Sequence, residues 1–83
     1  MKVNIKYFAS IREAMGQSSE VLETTASTLQ ELRDSLIARG GDAGQSLARG
    51  RAVRMALNQV MSDESAPLTD GAEVAFFPPV TGG

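Results

Sequence analysis

The chemistry open to this sequence narrows to its last residues. His and Cys are both absent, which removes the thiol nucleophile, the side chain that titrates unperturbed near neutrality, and the soft metal ligands. Disulfide, zinc-site and Ser-His-type readings go with them. Ten Asp and Glu residues remain, but no run of them suggests a paired acid and base. What is left is Val80-Thr81-Gly82-Gly83 behind Pro78-Pro79. A carboxylate at Gly83 is ionised, weakly nucleophilic and resonance-stabilised against attack at carbon, so it reacts only once activated. Four residues extend by about 13–14 Å, and glycine has no side chain to obstruct a narrow channel. A partner's active site can thus take this end without unfolding what precedes it. The tail is expected to be mobile in the free protein and to order inside a partner.

The elements that carry the tail can be read from periodicity. Val3, Ile5 and Tyr7 alternate with Lys2, Asn4 and Lys6, the period of a half-buried strand. Ser10-Ile11-Arg12-Glu13 has capping-box spacing and Gly16 follows Met15, which predicts a single helical turn with a glycine stop. Glu20 to Glu23 reads as a second strand, antiparallel to the first. Thr28-Leu29-Gln30-Glu31 is another capping box, and Leu29, Leu32, Leu36 and Ile37 recur at helical spacing up to Gly40-Gly41, predicting one long helix. Residues 42–51 lack periodicity and read as mostly loop. Val53, Met55 and Leu57 alternate with Arg54 and Ala56; Asn58-Gln59 is a possible tight turn into Val60-Met61. Pro67 to Gly71 is turn chemistry, Glu73 to Phe77 is a final strand rich in β-formers, and Pro78-Pro79 stops it because neither residue can donate a ladder hydrogen bond.

An 83-residue chain supports one core. Eight Lys and Arg against ten acids leave a net charge of −2 with no basic stripe, which argues against nucleic-acid binding. No apolar run approaches the ~20 residues of a membrane span and Met1-Lys2 is not followed by an apolar block, so the expectation is a soluble, cytoplasmic protein.

The order strand, strand, helix, strand, short strand, strand is that of a β-grasp fold, an α+β arrangement in which a long helix crosses one face of a mixed sheet. Pattern alone leaves a ferredoxin-like arrangement open, although residues 42–50 are glycine-rich for the second long helix it needs. The end of the chain decides, since a folded domain that finishes in Pro-Pro and then Gly-Gly resembles ubiquitin and its bacterial sulfur-carrier relatives. Tyr7-Phe8-Ala9 with Ile11-Arg12-Glu13 and Gly16, Leu57-Asn58-Gln59, and above all Pro67-Leu68-Thr69-Asp70-Gly71 and Glu73-Val74-Ala75-Phe76-Phe77-Pro78-Pro79-Val80-Thr81-Gly82-Gly83 resemble the small subunits of molybdopterin synthase. Residues 40–54 carry no motif of that family.

This resemblance implies a β-grasp domain over residues 1–77 and an extended tail over residues 78–83. It further implies that an adenylating enzyme joins Gly83 to AMP, that a sulfur donor replaces AMP to leave a thiocarboxylate, and that this sulfur is passed to a pterin precursor to build the dithiolene that later holds molybdenum. The implied partners are that activating enzyme and a large synthase subunit, in a heterotetramer of two small and two large chains. ATP is used by the activating enzyme, so no cofactor is expected on this chain. Two further activities share the chemistry: a carrier for thiamine thiazole synthesis, and a ubiquitin-like modifier joined to lysines through Gly83. The Phe76-Phe77-Pro78-Pro79 run and the chain length favour the synthase subunit, and an interaction module with an idle tail is the plainest alternative.

Strand parity predicts where a partner docks. If Val3, Ile5 and Tyr7 face the core, Phe8 faces away; if Val74 and Phe76 face inward, Phe77 faces outward. Parallel pairing of the first and last strands then brings Phe8 and Phe77 together near the root of the tail, with Met61 a weaker member of the same patch. Phe77→Ala is expected to weaken binding to the large subunit by about 1–3 kcal/mol with thermal stability nearly unchanged.

Overall fold

The computed structural model describes residues 1–79, without the side chains of Asp42 and Ala43. In chain order its elements are β1 (Lys2–Tyr7), α1 (Ala9–Met15), β2 (Ser19–Glu23), α2 (Leu29–Ile37), α3 (Gly41–Ser46), β3 (Arg54–Leu57), β4 (Val60–Ser62) and β5 (Glu73–Phe77). The strands form one mixed sheet in the order β2-β1-β5-β3-β4. Only the β1–β5 pair is parallel. The first and last strands therefore run side by side at the centre, as a β-grasp fold requires.

Alternation in β1 buries Val3, Ile5 and Tyr7 and exposes Lys2, Asn4 and Lys6. The same parity in β5 buries Val74 and Phe76. The register Ile5↔Val74 and Tyr7↔Phe76 sets these side chains on one face, where Leu29, Leu32 and Leu36 of α2 meet them with no exposed surface. These α2 positions fall at i, i+3 and i+7, the stripe of a helix with one apolar face. Thr28 caps α2 by accepting from the Glu31 N–H at 3.2 Å. Glu31 answers one residue further back than a capping box would have it, accepting from the N–H and hydroxyl of Ser27, both at 2.7 Å.

Two local expectations are corrected. Ser10 does not cap α1: the helix begins at Ala9, two residues earlier than a Ser10 cap would start it, behind Phe8, which offers no side-chain cap. The Phe8 N–H is instead spent on the Phe76 carbonyl at 3.2 Å, extending the parallel ladder, and Ala9 turns the chain into α1 at φ 52°. The Gly16 stop is present, left-handed at φ 74°. Residues 42–51 are not mostly loop, because α3 occupies Gly41–Ser46. Glycine favours that helix for a tertiary reason: a Cβ at Gly44 would stand 3.0 Å from the Ile37 carbonyl oxygen. The helical layer is thus α2 with two shorter companions rather than one long helix alone.

Buried Arg33 closes this layer. Its guanidinium donates to the carbonyls of Leu47 (2.7 Å), Ala48 (2.8 Å) and Arg51 (3.2 Å) and to the Glu64 carboxylate (2.9 Å). Arg49 bonds the same Glu64 and also Asp34. Together these contacts hold residues 47–51 against α2 and deliver the chain into β3.

Candidate functional site

The sheet face turned away from the helices is the candidate site, and strand parity builds it. Lys6 of β1, Ala75 of β5, Ala56 of β3 and Met61 of β4 form one cross-strand row. The two central alanines leave a saddle between the longer side chains. Ala56 is only 8% exposed yet lies outside the main core cluster, so it is sheltered by its neighbours on this outer face. In the next row Phe77 of β5 pairs with Arg54 of β3. Lys6 forms an ion pair with Glu73 at 3.2 Å, which neutralises the middle of the face.

Phe8 and Phe77 meet here, edge to face, with ring centroids 6.4 Å apart at 85°. Directly through the sheet, the preceding residues Tyr7 and Phe76 stack in the core at 6.2 Å and 17°. The ends of β1 and β5 are thus clasped by an aromatic pair on each face, the inner pair holding the backbone that presents the outer one. Phe8 is 45% and Met61 55% exposed, and Phe77 is half-buried. The structure therefore puts Phe8 beside Phe77, and Met61 on the same face but a strand further off. A surface groove of about 460 Å³, lined by Val53, Arg54, Met55, Met61, Ser62, Asp63 and Glu64, continues the face toward the sheet edge.

The inner pair is tied down by a polar network absent from the sequence reading. The Tyr7 hydroxyl donates to Glu20 Oε2 at 2.9 Å, and Arg39 donates to both oxygens of that carboxylate, at 2.8 and 3.2 Å. Arg39 holds the Glu20 carboxyl below its usual range against the opposing effect of burial, with help from Tyr7. Burial, together with the negative Glu20, pushes the Tyr7 phenol well above its ordinary value. Tyr7 is therefore a neutral donor rather than an acid or base.

Among the described residues no group of three or more His, Cys, Asp or Glu is placed to hold a metal. The face offers apolar contact area and fixed charge, which is the equipment of a docking surface. Gly82, Gly83 and the rest of the stretch from Val80, on which the chemical expectation rests, lie outside the described residues. Pro78 and Pro79, both half-buried, follow β5 at the Phe8–Phe77 end.

Sequence reasoning passed over Arg33, Arg39 and Glu20. For Arg33 a signal existed, since positions 29, 32, 33 and 36 share the buried helix face and a cation on such a stripe requires partners. Glu20 and Arg39 are 19 residues apart, and nothing local announces their pairing.

Comparison with known proteins adds relatives to this geometry. The sequence matches the ThiS family over residues 5–83. It is 37% identical to the molybdopterin synthase sulfur carrier subunit of Escherichia coli, over 98% of this chain and 99% of that one. Among solved structures, a putative molybdopterin converting factor subunit 1 from Pyrococcus furiosus superposes with TM-score 0.79 at 26% identity, covering 96% of this chain and 99% of the other. The protein–protein complex of subunits 1 and 2 of molybdopterin-converting factor from Helicobacter pylori contains a chain similar at TM-score 0.70 and 28% identity, with both chains fully covered.

Proposed function

The chain belongs to the ThiS family, and from that premise we propose that it is the sulfur-carrier subunit of a molybdopterin synthase. The observation that carries this reading is the match along the full length of a bacterial subunit of that name. The name also favours it over the carrier for thiamine thiazole synthesis.

In this reading residues 1–77 are the docking domain and residues 78–83 the tail that enters the partner. The Gly83 carboxylate attacks the α-phosphorus of ATP on an activating enzyme, releasing pyrophosphate and leaving an acyl-adenylate. A sulfur nucleophile attacks the acyl carbon and AMP departs with the bonding electrons. The resulting thiocarboxylate sulfur is softer than oxygen and attacks a carbon of the pterin precursor, as a thiolate would, displacing an oxygen substituent that leaves with the bonding electrons. Water then releases the acyl group and restores the carboxylate.

This chain's own residues contribute placement. Pro78 and Pro79 cannot continue the β5 ladder, so the tail is freed at a fixed point beside the aromatic pair. With no His or Cys, no local base or thiol diverts the acyl group. The large subunit supplies the precursor pocket and the acid–base groups; the activating enzyme supplies the ATP site. No cofactor is assigned to this chain. No helix among the described residues is long and apolar enough to cross a membrane, and the pathway proposed places the protein in the cytoplasm.

The test is the intact mass of the protein after incubation with its adenylating enzyme, ATP and sulfide, followed by precursor conversion with the large subunit. Exchange of one oxygen for one sulfur on the C-terminal peptide, and conversion that disappears when Gly83 is deleted, is the expected result. An unchanged mass, or full conversion by the Gly83 deletion, would sink the carrier mechanism.

A further inference from the structure

The arginines of this chain divide by location. Arg33, Arg39 and Arg49 are each paired with carboxylates, those of Glu64, Glu20 and Asp34 with Glu64. Arg12, Arg51 and Arg54 are exposed, and among the described residues their guanidinium groups have no partner. Two of these, Arg54 and Arg12, flank the aromatic pair. Arg54 is the register partner of Phe77. Arg12 lies one helical turn from Phe8, its N–H on the Phe8 carbonyl at 3.2 Å, so both side chains occupy one side of α1. Arg51 stands apart from them: it lines a depression with Ser10, Ile11 and Ala14, and Ser10 and Ala14 lie on the side of α1 away from Arg12.

Among the described residues the nearby acids offset this charge only in part. Asp63 and Glu64 share the groove with Arg54; Glu64 is matched by Arg33 and Arg49, whereas Asp63 accepts only from the N–H and hydroxyl of Ser65 and keeps its negative charge. Glu13 follows Arg12 in α1, and adjacent helical residues do not face each other. The chain carries a net −2, so two arginines without an ion-pair partner among the described residues, both beside an aromatic pair, stand out against its overall sign. Solitary surface arginines are merely solvated. Two of them beside an exposed aromatic pair match the make-up of a protein interface, in which Arg and aromatics are enriched.

We infer that Arg12 and Arg54 form a cationic rim beside the Phe8–Phe77 patch that receives surface carboxylates bordering the tail channel of the large synthase subunit. It deepens the carrier reading and rests on it for the identity of the partner. Rim charges act chiefly on encounter, raising the association rate and fixing orientation. They orient this end toward the channel before the apolar contacts close.

The experiment measures association of the large subunit with wild type, Arg12→Glu/Arg54→Glu, the neutral Arg12→Gln/Arg54→Gln, and Lys2→Glu by stopped flow. Lys2 is exposed on the same face at the far end of β1, about 20 Å from the aromatic row, and tests net charge without touching the rim. Circular dichroism and thermal melts establish that each variant is folded. At about 50 mM NaCl the charge reversal should slow association at least ~10-fold, the neutral pair should slow it less, and Lys2→Glu should change it little. At about 500 mM NaCl, where screening acts within a few ångströms, the differences should collapse. Equal rates for wild type and both double variants, a Lys2→Glu effect as large as the reversal, or a loss that persists in high salt would each overturn the rim while leaving the carrier reading standing. Failure of wild type itself to bind the large subunit would remove the carrier reading and the rim with it.

Discussion

Phe76 and Phe77 are consecutive residues on opposite faces of one strand, which makes their truncations a matched pair. Phe76 has no exposed surface and stacks on Tyr7, so Phe76→Ala opens a core cavity and should cost about 3–5 kcal/mol. That is a large part of the ~4–12 kcal/mol expected for a chain of this size. Phe77 is half-buried and touches Phe8 edge to face. Phe77→Ala gives up that ring contact and part of its sheltered area, a loss of about 1–2 kcal/mol. This is more than the near-zero cost that strand parity alone suggests. The melting temperature should fall by about 5–15 °C for Phe77→Ala. Binding should reverse the ranking. At the centre of an aromatic docking patch, loss of Phe77 should cost about 1–3 kcal/mol of affinity, a rise in Kd of roughly 5- to 150-fold. Phe76→Ala, measured below its own melt, should bind far closer to wild type. The assay is titration calorimetry with the large subunit, paired with thermal unfolding of the same samples. If Phe77→Ala costs as much stability as Phe76→Ala while affinity stays intact, Phe77 is a core residue and the docking face is wrongly placed. If Kd is unchanged and the fold survives, the partner docks elsewhere.

Three more outcomes follow from named contacts. Arg33→Met leaves three carbonyls and part of Glu64's charge without their donor, and urea unfolding should show a loss of about 2–4 kcal/mol; a loss below about 1 kcal/mol would mean water replaces the guanidinium. Hydrogen exchange in residues 41–53 should quicken first, since that segment loses its anchor. In the pH profile, the raised Tyr7 value means the native state holds that proton more tightly, so its contribution is complete below about pH 10 and is lost as pH rises beyond. The lowered Glu20 value acts oppositely: its contribution is complete above the usual carboxylate range and is lost as pH falls through the depressed value. Tyr7→Phe should remove the alkaline loss, and an unaltered alkaline limb would show that another group sets it. Gln59 holds φ 68° in the turn after Asn58 at φ 51°, so Gln59→Gly should stabilise by about 0.5–1 kcal/mol; a destabilised variant would mean the Gln59 side chain contributes more than its backbone costs.

Strands were legible because parity is a local property that tertiary packing only has to accept. β5 falls on Glu73–Phe77 where the β-formers and the following prolines put it, and Asn58-Gln59 makes the turn expected without glycine. The Thr28 cap was legible for the same reason, as donor and acceptor lie three residues apart. The Ser10 cap failed because a longer-range bond intervened: the Phe8 N–H goes to Phe76, which draws the start of α1 back to the end of β1. α3 was hidden by its glycines. Each costs about 1 kcal/mol of helix propensity, and only the approach of Gly44 to Ile37 and the hold of Arg33 on Leu47 and Ala48 explain why the helix forms.

The docking face and its proposed rim differ in the same way. Phe8 and Phe77 can be assigned outward from two strands and one parallel pairing, all visible as alternation. Whether an arginine is committed cannot be read so, because it is a difference between the charges present and those already matched. Arg49 finds Asp34 across 15 residues and Arg39 finds Glu20 across 19, and until those pairs are removed all the arginines look alike. Subtracting them leaves Arg12, Arg51 and Arg54, of which Arg12 and Arg54 flank the aromatic pair because β3 runs antiparallel to β5 and α1 begins where β1 ends. The topology that sets Pro78 and Pro79 after β5 beside the aromatic pair therefore also brings two unmatched arginines to it.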